Sequence, residues 1–136
     1  MSWGCGASGS LGHGDYVSLT EPKIIEGLHS QIKVQCGGYH NASIEKDGKL
    51  YMWGRSDVGQ LGIPKGKLEV DSNGLVATRP QEVEFFSNRL IEQVALGEAH
   101  SLVLDSQGRV YSFGWAELGQ LGIGETTANN FQIHQV

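Results

Sequence analysis

Apolar residues in this chain come in runs too short for helices. Gln31 to Cys36 is a β-favouring run that Gly37-Gly38 breaks, small and apolar residues resume from Asn41 to Glu45, and Lys46-Asp47-Gly48 ends the second run. Asp-Gly between two such runs is a strong signal for a tight hairpin turn. Lys49-Leu50-Tyr51-Met52-Trp53 is then the returning strand, and Arg109-Val110-Tyr111-Ser112-Phe113 follows Ser106-Gln107-Gly108 in the same way. Tyr51, Trp53, Tyr111 and Phe113 alternate along these strands, which assigns them to packing between layers. A further strand is expected at Pro22-Lys23-Ile24-Ile25 and at Pro80-Gln81-Glu82-Val83, because proline suits the first residue of an edge strand, where its missing N–H need not pair.

The pattern copies itself. Val34 to Ile63 aligns without a gap on Val94 to Ile123, sixty residues on, and eleven of the thirty positions are identical, where composition alone gives roughly two or three. The longest identical block is Gly59-Gln60-Leu61-Gly62-Ile63 against Gly119-Gln120-Leu121-Gly122-Ile123. A third copy stands near the N-terminus, with Trp3-Gly4, Gly9 and Leu11-Gly12 fifty residues before Trp53-Gly54, Gly59 and Leu61-Gly62. The extra residues of the second interval form an insertion, Pro64 to Ala77, which contains Asp71-Ser72-Asn73-Gly74 and is expected to be a mobile surface loop. Four short strands per repeat, joined by glycine turns and without a long amphipathic helix, predict an all-β fold of β-propeller blades.

The sequence Gly37-x-x-His40, Asp47-Gly48-x-Leu50-Tyr51-x-Trp53-Gly54, Gly59-Gln60-Leu61-Gly62 resembles the repeat of the RCC1 (regulator of chromosome condensation) family, and the skeleton returns from Gly97-x-x-His100 to Gly119-Gln120-Leu121-Gly122. WD40 repeats are set aside because no Trp-Asp dipeptide occurs, and kelch repeats because Gly37-Gly38 becomes Gly97-Glu98 in the next copy. Some positions depart from the pattern: Phe113 stands for the usual Trp, Ser10 for Gln, and Gln132 where Pro22 and Pro80 predict proline. The resemblance implies an RCC1-like propeller with blades of four short antiparallel strands, here as an incomplete ring, since members usually close seven blades. The chain divides into a partial repeat at 1–45, a complete repeat at 46–105 carrying the inserted loop 64–77, and a partial repeat at 106–136 that lacks its closing strands. Blades bury apolar faces against neighbours. The end faces are therefore expected to be covered by further blades of a longer polypeptide or by a completing subunit.

Composition narrows the partners. The formal charge of −5 and the absence of a Lys/Arg run argue against general nucleic-acid binding. Only Cys5 and Cys36 occur, in no metal-ligand spacing, which suits a reduced intracellular setting, cytoplasmic first; the family resemblance adds nucleus or cilium. No apolar run reaches membrane-spanning length, so no membrane insertion is expected.

The candidate chemistry is sparse. Gly4-Cys5-Gly6-Ala7-Ser8-Gly9 spells a dinucleotide fingerprint, but no strand-and-helix unit surrounds it and the equivalents Gly54 to Gly59 and Gly114 to Gly119 lose the middle glycine. His40 and His100 recur in register, whereas an active site needs one; both are assigned buried structural roles with Gly54, Gly59, Gly62, Gly114, Gly119 and Gly122. His13 and His134 are expected to be exposed. No catalytic, cofactor-binding or metal-binding residue is assigned, and no cofactor. Arg55, Asp57, Trp115 and Glu117, in the loops after each returning strand, are the candidate protein interface, Trp115 because a loop tryptophan can anchor a partner. The chain reads as a non-catalytic interaction scaffold or adaptor; the family resemblance adds the alternative of a guanine-nucleotide-exchange regulator of a small GTPase.

Overall fold

The computed structural model describes residues 1–124, 126 and 130–136. They form three antiparallel sheets. The first pairs β1 (Ser2–Gly4) with β2 (Leu19–Lys23). The second contains β3 (Gln31–Cys36), β4 (His40–Glu45), β5 (Leu50–Arg55), β6 (Glu69–Asp71) and β7 (Gly74–Glu82), in the order β3-β4-β5-β7-β6. The third holds β8 (Ile91–Leu96), β9 (His100–Asp105), β10 (Val110–Gly114) and β11 (Asn130–Gln135), in the order β8-β9-β10-β11. The antiparallel sheets give the all-β architecture read from the sequence.

The turns follow from their residues. Between β4 and β5, Gly48 takes φ +86 and donates its N–H to the Glu45 carbonyl at 2.8 Å, a conformation open to glycine at little cost. Between β9 and β10, buried Asp105 accepts the N–H groups of Gln107 at 2.9 Å and Arg109 at 3.0 Å, and pairs with Arg109 Nε at 2.7 Å. Burial alone would raise the Asp105 pKa; the bonds from Arg109 and Gln107 outweigh it and hold the carboxyl below its ordinary value.

One core joins the second and third blades. Ile44, Leu50, Met52, Leu61 and Phe86 pack with Val103, Tyr111 and Phe113, and Phe86 meets Tyr111 edge-on at 5.2 Å between ring centroids. Leu11, Leu61 and Leu121 are buried at equivalent places, which explains the repeated Leu-Gly of each loop.

Two expectations require correction. The third repeat does not lack its closing strand: β11 pairs Ser112 with His134 and Tyr111 with Gln135. A strand in this position needs backbone pairing and one apolar face, which Ile133 supplies against the core, so proline is dispensable and Gln132 serves. Nor is 64–77 simply a loop. Asp71-Ser72-Asn73-Gly74 makes a hairpin turn in which Asp71 Oδ1 accepts the Asn73 N–H at 2.7 Å, β6 pairs along β7, and Val76 and Ala77 are buried. The insertion thus adds a fifth strand to the second blade.

Candidate functional site

His40 begins β4 opposite Gly54, and His100 begins β9 opposite Gly114. The glycines are required there. Their φ values are +103 and +108, and a Cβ would stand 2.5 Å from the Tyr39 carbonyl oxygen at Gly54 and 2.6 Å from that of Ala99 at Gly114. The next residue donates to the same carbonyl: Arg55 N–H to Tyr39 and Trp115 N–H to Ala99, both at 2.9 Å. Each glycine therefore sets the direction in which the chain leaves its blade, and it places Arg55 and Trp115 at corresponding ends of neighbouring blades; Arg55, expected in a loop, is the last residue of β5 and pairs with Val76, while Trp115 lies just past β10.

The histidines themselves differ. His40 is fully buried, with Nε2 at 3.0 Å from Ser101 Oγ of the next blade. Ser101 spends its hydroxyl hydrogen on the Gln60 carbonyl at 2.7 Å; the serine must then accept from His40, which puts the imidazole proton on Nε2. His40 Nδ1 is left bare, buried and without a hydrogen-bond partner. Burial, the largest cause, pushes the His40 pKa down to about 4. The ring is thus enclosed between the second and third blades. His100 is only half-buried, a departure from the expectation for both rings, because no described sheet lies over its blade as the third blade lies over His40.

The same inter-blade bond recurs one step earlier. Asn41 stands where Ser101 stands, and its Nδ2 donates to the Ser10 carbonyl at 2.8 Å; Ser10 is the counterpart of Gln60. Trp53 Nε1 donates to that oxygen as well, at 3.0 Å. Sequence reasoning missed Ser10, Asn41, Gln60 and Ser101; the available signal was a polar residue directly after each histidine, opposite an aromatic. His13 is also corrected: it is 9% exposed and its Nε2 lies 3.0 Å from Ser2 Oγ, and His134 is half-buried. Both are drawn in by packing that the sequence pattern does not encode.

The four candidate interface residues occupy equivalent positions on two blades but do not form one cluster. Arg55 and Asp57 bond to each other, the Arg55 guanidinium carbon lies 5.7 Å from the centre of the Tyr39 ring, and Asp57 abuts Gly74 at the tip of the β6–β7 hairpin. Trp115 is half-buried and Glu117 exposed on the next loop. The first-blade counterpart of Arg55 and Trp115 is Cys5, which is exposed. One backbone position thus carries a thiol, a guanidinium and an indole in succession, on a frame whose glycines and buried leucines do not change.

Comparison with known proteins agrees with this skeleton. The model described as Regulator of chromosome condensation (RCC1) repeat matches residues 2–44 and 47–104, and a second model of the same description matches 31–60 and 91–120. The first two segments each take the outer strands of one blade and the inner strands of the next, so the sequence repeat is offset from the sheet. Among curated relatives, the ultraviolet-B receptor UVR8 of Arabidopsis thaliana is 38% identical over 93% of this chain and 27% of its own length. The protein RCC2 homolog of Xenopus laevis is 36% identical over 89% and 22%, and the human E3 ubiquitin-protein ligase HERC2 is 36% identical over 90% and 2%. The chain therefore spans about a quarter or less of these relatives. Prp20p of Saccharomyces cerevisiae, whose structure was described together with its binding to Gsp1p and histones, superposes with a TM-score of 0.85 at 25% identity, over 98% of this chain and 33% of Prp20p. Human WBSCR16 shares the fold at a TM-score of 0.79 and 17% identity, over 98% and 33%. With the family match reaching strands of all three sheets, the chain belongs to the Regulator of chromosome condensation (RCC1) repeat family.

Proposed function

We propose that this chain is a protein-interaction segment of an RCC1-like propeller, acting as a scaffold or adaptor without chemistry of its own. The observation that carries this reading is the contrast at positions 5, 55 and 115. His40, Ser101 and the Gln60 carbonyl are engaged between blades, whereas the position after the glycine of each copy changes from Cys5 to Arg55 to Trp115 on a constant frame. Side chains that vary on a fixed scaffold serve recognition. Arg55, Asp57, Trp115 and Glu117 are the residues proposed to meet a partner.

A small GTPase is the second reading, favoured by the likeness to Prp20p, which binds Gsp1p. Fold likeness does not carry exchange activity with it, and the loops starting at Arg55 and Trp115 share no chemistry with each other. The deciding experiment measures release of a fluorescent GDP analogue from a panel of small GTPases, with Trp115→Ala and Arg55→Ala as variants. A scaffold leaves release at the basal rate. Acceleration that is lost in Trp115→Ala supports the exchange reading instead.

A further inference from the structure

Two arginines of this chain are held in one recurring way. The Arg55 guanidinium carbon lies 5.7 Å from the centre of the Tyr39 ring while its Nε bonds to Asp57. In the third blade, Arg109 Nε meets Asp105 Oδ2 at 2.7 Å, and the Tyr111 hydroxyl approaches the same oxygen at 3.4 Å. Each time a tyrosine and an aspartate share one guanidinium.

The first blade and the inserted hairpin offer such a pair without the arginine. Cys5 stands where Arg55 and Trp115 stand, and it lines a cleft of about 360 Å³ with Ala7, Tyr16 and Ser18 on one side and Asp71 and Asn73 on the other. The two sides are fixed to each other at Thr78. Its carbonyl accepts the Gly14 N–H at 2.9 Å, its Cα lies 2.7 Å from where a Cβ on Gly9 would stand, and its hydroxyl donates to Glu69 Oε1 at 2.8 Å. Tyr16 is 46% exposed. Asp71 Oδ1 accepts the Asn73 N–H, and among the described residues no lysine or arginine pairs with Asp71 or Glu69. Desolvation first, then the charges of Asp71 and Glu69, raise the Tyr16 pKa, so the phenol stands in the field of both carboxylates.

We propose that this cleft between the first-blade loop and the β6–β7 hairpin is a recognition site for one arginine side chain on the surface of a protein partner. The guanidinium lies against the Tyr16 ring and forks onto the Asp71 carboxylate, and its aliphatic stem runs over Ala7. Lysine is the poorer occupant, because a point charge cannot meet a ring face and a carboxylate edge at once. Calcium is poorer still: it seeks a cage of oxygens, and Asp71 is the only carboxylate among the described residues lining the cleft. The net charge of −5 draws a basic partner from a distance. The insertion supplies one side of the cleft, so the repeat alone does not contain the site. The proposal adds a second surface to the interaction-scaffold reading; none of Arg55, Asp57, Trp115 and Glu117 lines the cleft, so either reading can fail without the other.

The test titrates the full chain with acetyl-Gly-Arg-Gly-amide and follows the amide signals of Cys5, Tyr16 and Asn73 by NMR. A saturable shift of all three is expected, with at least about tenfold weaker binding of the peptide carrying citrulline, which keeps the shape of arginine and lacks its charge. Asp71→Asn keeps an acceptor for the Asn73 N–H, and with it the hairpin turn, and is expected to weaken binding at least about fivefold. Tyr16→Ala is expected to do the same, while Tyr16→Phe, which retains the ring, stays within about twofold of the parent. Glu92→Gln removes one exposed charge elsewhere and leaves binding unchanged. Shifts that do not saturate, a citrulline or lysine peptide that binds as tightly as the arginine peptide, or equal weakening by Glu92→Gln and Asp71→Asn overturn the proposal. So does saturation of the same amides by calcium chloride alone, which marks a metal site, or by concentrating the chain alone, which marks a second copy.

Discussion

His40 and His100 occupy the same place in two blades of one sequence pattern, and their surroundings differ completely. The second blade is covered by the third, so His40 is buried, bonded to Ser101 and held neutral. Nothing described covers the third blade on the corresponding side, and His100 is half-buried. The contrast runs the other way on the opposite face: Val94 is packed by the second blade while Val34 is 72% exposed, and Trp53 is 4% exposed against 59% for Trp3. Position within the blade is set by the repeat. Burial is set by the neighbour.

The glycines give the sharpest way to break this comparison. Gly54→Val and Gly114→Val drive a side chain into a strand backbone and demand a strained φ, and each is expected to cost about 4 kcal/mol or more, enough to unfold a marginal domain. Gly4→Val, with nothing within 4 Å of the added Cβ, carries the φ strain alone and is expected to cost about 1–2 kcal/mol. Urea unfolding at equilibrium measures both; equal losses at Gly4 and Gly54 would show that the inner strand contributes nothing.

Next in size is the histidine itself. His40→Ala empties a sealed inter-blade site and removes the donor to Ser101, an expected loss of about 3 kcal/mol, against about 1 kcal/mol or less for His100→Ala. Similar losses in the two variants would refute the burial contrast.

Acid should act on the same site. The folded-state pKa of His40 is depressed from 6.5 to about 4, so between those values the unfolded chain takes up a proton that the folded chain refuses. The stability linked to His40 is fully present above pH 6.5 and falls with pH until the folded ring titrates near 4. Lowering the pH from 7.5 to 5 is expected to remove about 2 kcal/mol through His40. Thermal melts across that range, compared with His40→Gln, check it: the decline should be shallower in the variant.

The smallest effect belongs to the inter-blade bond. Ser101→Ala orphans the buried Gln60 carbonyl and the His40 Nε2–H and should cost about 1–2 kcal/mol, while Asn41→Ala, at a half-buried site, should cost less than about 1 kcal/mol. The double variant His40→Ala/Ser101→Ala should cost less than the sum of the two single changes, because the pair shares one interaction. Strict additivity would remove Ser101 from that account.

Much of this was legible in the chain. Glycine spacing marked the hairpins, since a turn with positive φ admits few other residues, and the repeat of Leu-Gly marked where a buried leucine closes each loop. Trp115, Arg55, Asp57 and Glu117 were legible as equivalent loop positions, though not that Arg55 and Asp57 engage each other or that Asp57 abuts the hairpin tip. β11 was missed because it was sought by its proline, and the β6–β7 hairpin because an insertion has no counterpart to compare.

By itself the sequence determined what is local: strand length, turn type, the place of each glycine, and hence the blade and its family. Those depend on the backbone preferences of a few adjacent residues. The tertiary structure decided which copy of each residue is buried and that Ser101 receives His40. These depend on contacts between blades, such as the one that spans 61 residues from His40 to Ser101, and a repeated sequence writes the same histidine into each blade whether or not a neighbour stands beside it.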